Sequence, residues 1–296
     1  MSEPIALCVS DIHLSHTPPV ARSVESNWYG VMRRVLKQVK GLSYELDVPV
    51  ICAGDIFDRW NSLPELINFA LQELPEMYAV PGQHDLPNHS YEQIKRSAYW
   101  TLVEAGKVFD LKAGTCRAIR GAQLLSFPFG FLVTTLRDGK HTDEIYMAVV
   151  HGYCWVEGKQ HFGAGMSGHV SGWNTEGYDL AIFGDNHCGF QHGKIFNCGT
   201  LMRRKIDEIN YRPQVGIVMS DGMVEPRYLD TSEDVFIEVP EHGSQKVELI
   251  RAEKFLAELR TLDPDSLDFK DAVRFYLASH SASKEVAEIV LSAIGE

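Results

Sequence analysis

Five stretches of this chain end an apolar run in residues that can bind a metal or move a proton. Asp11-Ile12-His13 follows IALCVS, and Gly54-Asp55-Ile56-Phe57-Asp58-Arg59 follows VPVICA. Gly82-Gln83-His84-Asp85 closes EMYAVP, His151-Gly152 follows IYMAVV, and Gly184-Asp185-Asn186-His187 follows DLAIF. Taken singly, each has a plain explanation, because an Asp after a strand usually caps a helix and Pro-Gly or Gly-Asp pairs usually turn the chain. Five such coincidences at the same kind of place are not turn chemistry. Carboxylate, amide and imidazole donors suit Mn, Fe, Zn or Mg, and the absence of a thiol among them argues against structural zinc. Two cations about 3.5–4 Å apart need a carboxylate that bridges them and can hold a hydroxide between them as nucleophile. They also neutralise charge developing on a phosphoryl group. The chemistry this pattern suits is phosphoryl hydrolysis.

Those residues have to be carried by regular elements. IALCVS and the wholly apolar VPVICAG, bounded by Pro and Gly, have the form of strands buried on both faces. Apolar residues Val24, Trp28, Val31, Val35 and Val39 recur at spacings of three and four, which predicts a helix over 22–40. A second helix is expected after Ser62 and Glu65, paired as a capping box with Pro64 in the first turn, and a third over 90–106. Short strands are expected at 115–119, 122–127, 145–150, 180–183, 194–197, 214–219 and 223–229. The first third thus alternates strand and helix and the middle is strand-rich, which predicts central sheets flanked by helices. All five clusters then fall at carboxyl ends of strands, the edge where open α/β sheets bind ligands. The Gly- and Ser-rich stretch 163–177 is expected to be a long mobile loop holding His169, with His161 just before it. The C-terminal part is charged and helical in pattern, over 246–262, 268–279 and 282–294.

Composition bounds the alternatives. The chain has 296 residues, 45% apolar and 23% charged, and a formal charge of −12. That describes an ordinary globular protein with one large domain and room for an appendage. No apolar run approaches the roughly 18 residues that span a bilayer, and MSEPIALCVSD carries acid where a signal peptide carries base. Cys8, Cys52, Cys116, Cys154, Cys188 and Cys198 form no CxxC pair, as expected of a reduced, cytoplasmic protein. The acidic balance argues against coating nucleic acid by bulk electrostatics.

Taken as a set, Asp11-x-His13, Gly54-Asp55-x-x-Asp58-Arg59, Gly82-Gln83-His84-Asp85, His151 and Gly184-x-x-His187 resemble the calcineurin-like metallophosphoesterases. The pattern of that family is D-x-H, G-D-x-x-D-R, G-N-H-D/E, H and G-H-x-H. The resemblance covers roughly residues 1–230 and implies a four-layer αββα sandwich as the catalytic domain. Residues 231–296 would then be a small helical segment that caps the domain or docks a partner. It implies that Asp11, His13 and His187 hold a first metal, that Asp55 bridges, and that Gln83, His151 and Asp185 hold a second. His84 would protonate the leaving oxygen or steady the phosphate, oriented by Asp85 and Asp58, with Arg59 beside them in the catalytic group. Two departures from the family pattern, Gln83 for Asn and Asp185 for His, both strike the second metal.

GDIFDRW, YAVPGQHD and NCGTLMRRKIDE are most similar to the DNA-repair nuclease branch, which includes the nuclease subunit of bacterial SbcCD and bacteriophage recombination nucleases. In that branch a P-G-S-x-x-R phrase follows the last metal motif, and Cys198-Gly199-Thr200-Leu201-Met202-Arg203 stands in its place. The resemblance therefore implies a DNA exo- or endonuclease using two divalent ions, Mn²⁺ first with Mg²⁺ or Fe²⁺ as alternatives. Arg203 and Arg204 would bind DNA. An SMC-like ATPase subunit and a second copy of the chain are the implied protein partners, and the location is the cytoplasm, or the host cytoplasm for a phage protein. A small-molecule phosphodiesterase or phosphatase is the rival enzyme, favoured by the acidic charge. A non-catalytic scaffold has no reason to keep Asp11, His13, Asp55, His84, His151 and His187.

Overall fold

The computed structural model describes residues 2–136, 144–160 and 165–237. The expected C-terminal helices and His161 lie outside the described residues. Two compact units are distinguished: residues 1–18, 25–203 and 210–235 form one, and 19–24, 204–209 and 236–296 the other. All five strand-end clusters belong to the first.

Its elements alternate as the hydrophobic periodicity predicts. In chain order they are β1 (Pro4–Val9), α1 (Trp28–Glu45), β2 (Val50–Cys52), α2 (Pro64–Glu73), β3 (Met77–Ala79), α3 (Ala98–Glu104) and β4 (Val108–Asp110). The second half adds β5 (Cys116–Ile119), β6 (Ala122–Phe127), β7 (Ile145–His151), β8 (Leu180–Gly184), β9 (Phe190–His192), β10 (Ile195–Asn197), β11 (Gln214–Met219) and β12 (Val224–Tyr228). Among the described residues the strands make two mixed six-stranded sheets, ordered β12-β11-β1-β2-β3-β4 and β5-β6-β7-β8-β10-β9. β1 through β4 are mutually parallel, as are β6, β7, β8 and β10.

The sheets stack face to face. Ala6, Cys8, Ile51 and Ala53 of the first share one core with Leu124, Met147, Val149 and Ile182 of the second. The alternate residues Leu7, Val9, Val50 and Cys52 turn outward into a second core, where Val31, Val35, Leu66, Phe69 and Leu102 of α1, α2 and α3 cover them. A strand buried on both faces has to be apolar throughout, which is why IALCVS and VPVIC are. The outer face of the second sheet, with Ala148, Val150 and Phe183, is covered by Val170, Trp173 and Tyr178. Among the described residues that cover is the glycine-rich stretch folded into two 3₁₀ turns, Met166–Gly168 and Val170–Gly172.

Three local expectations need correction. The first helix begins at Trp28, not at 22, because the Asn27 side chain accepts the Gly30 N–H and caps it there. Val24, read as part of its apolar face, is 52% exposed. The capping box at Ser62 does not form. Pro64 is the first residue of α2 and forces Leu63 into the extended region, so Leu63 is the N-cap and the Ser62 hydroxyl donates to the Arg59 carbonyl instead. The helix expected over 90–106 is broken at Ser97 into a 3₁₀ stretch, Tyr91–Arg96, and α3, whose first turn the Ser97 side chain caps through Trp100 N–H.

Candidate metal centre

Past the ends of β1 and β2 the chain keeps pairing. Asp11 N–H donates to Gly54 O, His13 N–H to Asp55 O, and Leu14 N–H to Ile56 O, at 3.0, 3.0 and 2.9 Å. This zipper holds residues in a conformation they resist. Asp11, His13, Asp55 and Asp185 have φ of 49°, 48°, 54° and 86°, the left-handed region that non-glycine residues avoid at a cost of roughly 1–2 kcal/mol each. Strain of that kind persists where surrounding structure over-determines it, and it gathers at functional sites. Here it falls on four metal-capable residues at the strand ends.

Glycine makes room around them. A Cβ on Gly54, whose φ is 99°, would collide with the His151 ring, and one on Gly82 with the Asp55 carboxylate. A Cβ on Gly184 would strike the Ala53 carbonyl. The glycines that precede the metal-capable residues are thus there so that strand ends from both sheets can close on each other.

Among the described residues the side chains form three connected groups, one of them His13, Asp58 and His84. Asp11, His13 and His187 place one ligand atom each within 4.8 Å of one another, and so do Asp11, Asp55 and His151. His13 Nε2 and His187 Nε2 are 3.1 Å apart. Asp55 lies between the groups: its Oδ2 is 3.7 Å from His13 Nε2 and 3.5 Å from His151 Nε2. That oxygen is buried and has no hydrogen-bond partner, whereas Oδ1 accepts the His84 N–H at 2.9 Å. Gln83 and Asp185 complete the second group. Gln83 Nε2 donates to Asp185 Oδ1 at 2.7 Å, and Gln83 Oε1 lies 2.6 Å from His151 Nε2. The Asp185 N–H in turn donates to the Asp11 carboxylate at 3.1 Å, tying the groups together.

The titration of these groups reports excess negative charge. Burial works against a charged His151 ring, yet Asp55, with Asp185 and Asp11 behind it, lifts its pKa to about 10. Burial would raise the Asp55 carboxyl, but His151 and His84 hold it at about 2. Asp11 is pushed above the ordinary carboxyl value by burial. A fully buried imidazole that keeps a proton so firmly marks a place where a cation is stabilised.

The family profile for calcineurin-like phosphoesterases matches residues 6–189. The chain belongs to that family. Among solved structures, the calcineurin-like phosphoesterase YfkN from Bacillus subtilis is 10% identical over 88% of this chain and 99% of its own, with a TM-score of 0.43. Another is 12% identical over 78% of this chain and 100% of its own, with a TM-score of 0.45. No curated protein matches the chain.

A calcineurin-like phosphoesterase binds two divalent metals, and the residues present fit them. The donor set is oxygen and imidazole, the buried Asp55 Oδ2 awaits a partner, and His151 is oriented by a bond from Nδ1 to the Ala53 carbonyl at 2.6 Å, leaving Nε2 for coordination. To hold a metal, the His151 imidazole would have to give up that Nε2 proton.

Of the residues expected at the catalytic centre, His84 and Asp58 both stand against His13. The His84 ring is 4.9 Å from that of His13, edge to face, and Nδ1 donates to the Asp58 backbone carbonyl at 2.9 Å. Asp58 therefore orients His84 through its main chain, while its carboxylate Oδ1 lies 3.7 Å from His13 Nδ1. Asp85 is a clamp. Its carboxylate accepts the N–H groups of Ile56, Phe57 and Gly82 at 3.2, 3.0 and 3.1 Å, joining the turn after β2 to the turn after β3. Burial and Asp55 push its pKa to about 7 against the pull of those three donors. Asp85→Asn turns an amide N–H toward at least one of the donors. We expect a loss of about 1–3 kcal/mol in urea denaturation per donor left unpaired; an unchanged midpoint would remove the clamp role.

Arg59 is exposed. Arg203 donates from Nε and Nη2 to Asp234 Oδ2, both at 3.1 Å, and from Nη2 to the Thr231 carbonyl, so it anchors the segment after β12. Arg204 lies in the second unit and is largely buried. There the turn Ile206–Glu208 is closed by Glu208, which accepts the Arg204 and Lys205 N–H groups.

Sequence reasoning missed the residues that hold the ligands from behind. The Thr200 N–H donates to the His187 carbonyl, and its hydroxyl lies 3.0 Å from the carbonyls of Asp11 and Met202. Ser10 donates to the Asp11 carboxylate. Asn186 donates to the Cys154 and Lys159 carbonyls and accepts the Cys188 N–H, while Asn197 donates to the Asn186 carbonyl. Position alone could have suggested Asn186, which sits between two ligands. Nothing in the sequence marks Asn197.

Proposed function

We propose that this calcineurin-like phosphoesterase is a two-metal phosphodiesterase that hydrolyses DNA phosphodiester bonds. The observation that carries the two-metal part is Asp55 Oδ2, buried without a hydrogen bond between His13 Nε2 and His151 Nε2 at 3.7 and 3.5 Å. A carboxylate so placed would be shared by both ions. Asp11, His13 and His187 would hold the first, and Gln83, His151 and Asp185 the second. Bound there, the ions would supply Lewis-acid charge against the phosphoryl oxygens and activate water for attack. His84 acts on the leaving oxygen: with Nδ1–H fixed on the Asp58 carbonyl, the transferable proton sits on Nε2, and the neutral tautomer left behind keeps its bond to Asp58. Asp58 and Asp85 are positioning residues.

Diesters suit the charge of the site. Asp185 in place of the family's imidazole adds one negative charge and repels a dianionic monoester more than a monoanionic diester. A harder donor set also favours Mn²⁺ or Mg²⁺ over Zn²⁺. DNA as the substrate rests on the resemblance of GDIFDRW, YAVPGQHD and NCGTLMRRKIDE to the repair nucleases. The formal charge of −12 favours a small diester instead. Purified protein with Mn²⁺ assayed in parallel on single-stranded DNA, duplex DNA and bis-p-nitrophenyl phosphate separates the two, since cleavage of the small diester alone would end the nuclease proposal.

Gln83 carries the amide oxygen of Asn on a longer stem, and Asp185 is shorter than His, so the two substitutions offset each other across the second site. We expect two ions on titration with Mn²⁺, the second weaker, and diesterase activity above monoesterase activity. Anomalous diffraction at millimolar Mn²⁺ without a peak beside Gln83, His151 and Asp185 would refute the offset. An SMC-like ATPase and a second copy of the chain are proposed as partners on the resemblance alone. No helix among the described residues is long and apolar enough to cross a membrane.

A further inference from the structure

Beside the turns that carry Gln83, His84 and Asp85 stand aromatic rings that the chemistry above does not use. Phe127 pairs with Val150, one residue before His151, so residues 128–131 leave the second sheet level with that ligand. Phe129 N–H then donates to the Pro81 carbonyl at 3.2 Å, two residues before Gln83 on the first sheet. The turn that follows Gln83-His84-Asp85 comes back to the same place. Its His89 ring lies 6.0 Å from that of Phe129, and the Tyr91 ring meets Phe131 edge to face at 5.2 Å.

Two features set this place apart from ordinary surface. Phe131 is 40% exposed although it belongs to a segment bonded to the site, and His89 and Asn88 are exposed beside it. Asn88 and His89 are also consecutive non-glycine residues with φ of 51° and 56°. Asn and His tolerate left-handed backbone better than most residues, and here the His89 and Ser90 N–H groups hold the turn by donating to the Leu86 and Pro87 carbonyls at 3.1 and 3.0 Å. The turn brings the His89 ring against Phe129, itself partly buried against the helix-side core, five residues after His84.

We propose that His89, Phe129 and Phe131 form a shelf on which a flat ring of the substrate, the nucleobase next to the scissile phosphate, stacks. The proposal rests on the phosphodiesterase reading of the metal centre and adds the place and the residues that would hold the base of a nucleoside diester. Stacking on aromatic faces tolerates any base, because each has a π-face.

The test uses the full chain with Mn²⁺ and two diesters that share a leaving group, thymidine 5′-p-nitrophenyl phosphate and methyl p-nitrophenyl phosphate. The expected kcat/KM favours the nucleoside diester by about tenfold or more, within the range of one stacked base. Phe131→Ala and His89→Ala should each reduce that ratio by about tenfold through KM, and Phe131→Tyr should restore it. A wild-type ratio near one, or a ratio that both alanine variants leave intact, would overturn the shelf. Should neither diester be hydrolysed, the phosphodiesterase reading fails and the shelf is judged by binding. Calorimetry on the Mn²⁺-loaded protein should then show deoxyadenosine monophosphate binding at least about tenfold more tightly than deoxyribose 5-phosphate, with the preference lost in Phe131→Ala. Equal affinities in the wild type would refute it independently.

Discussion

Asp55→Ala should lower diester hydrolysis by about 10³-fold or more, and metal analysis should find the chain holding at most one ion where the wild type holds two. The size follows from shared duty. Removing a single preorganised charge-stabilising group from an active site costs about 10²–10³ in turnover, and Asp55 stands between both ligand groups, with Oδ2 within 3.7 Å of His13 Nε2 and 3.5 Å of His151 Nε2. Its other oxygen accepts the His84 N–H, so the same substitution also loosens the turn that carries the proton donor. His151 should change with it, because Asp55 is the leading influence lifting that pKa to about 10. In the metal-free variant the ring should lose its proton at a distinctly lower pH, which NMR titration of the imidazole reads directly. Full turnover by Asp55→Ala, or by the wild type in excess chelator, would sink the two-metal mechanism.

His84→Ala should cost about 10²–10⁴-fold in turnover while both ions stay bound. The ring belongs to a different class of contact from its neighbours. His13 and His187 bring Nε2 atoms within 3.1 Å of each other, whereas His84 commits Nδ1 to the Asp58 carbonyl. A proton donor matters in proportion to how badly the leaving oxygen needs a proton. The loss should therefore be largest on DNA, which releases an alkoxide, and smaller on a nitrophenyl diester, whose leaving group departs as the anion. Equal losses on both would make His84 a phosphate contact instead. Stoichiometric loss of metal would make it a ligand.

The candidate metal residues stood out in the sequence because strands end abruptly. An apolar run such as VPVICA cannot continue once the chain leaves the sheet, so Asp55 or His151 at its end stands out against the apolar background. Strand ends in parallel sheets also converge on one edge, so position along the chain translates into proximity in space. Long periodic helices were legible for the same reason, up to their caps. Two three-residue strands were not: β4 and β9 lack the apolar runs that marked β2, β3 and β10, and sheet pairing with β3 and β10 defines them.

What only the tertiary structure decided is the division of labour among those residues. By type and position Asp85 looks as catalytic as Asp55, yet it is occupied by three backbone N–H groups, two of them nearly thirty residues away in the chain. Asp58 orients His84 with its carbonyl, a group every residue carries, so no side chain could announce the role. The left-handed backbone of Asp11, His13, Asp55 and Asp185 is imposed by hydrogen bonds between neighbouring turns, which exist only once β1 and β2 lie side by side and the second sheet packs against them. Residue type sets which chemistry a side chain can perform. Which of its atoms are already engaged is set by partners far off in the chain, and that depends on the fold.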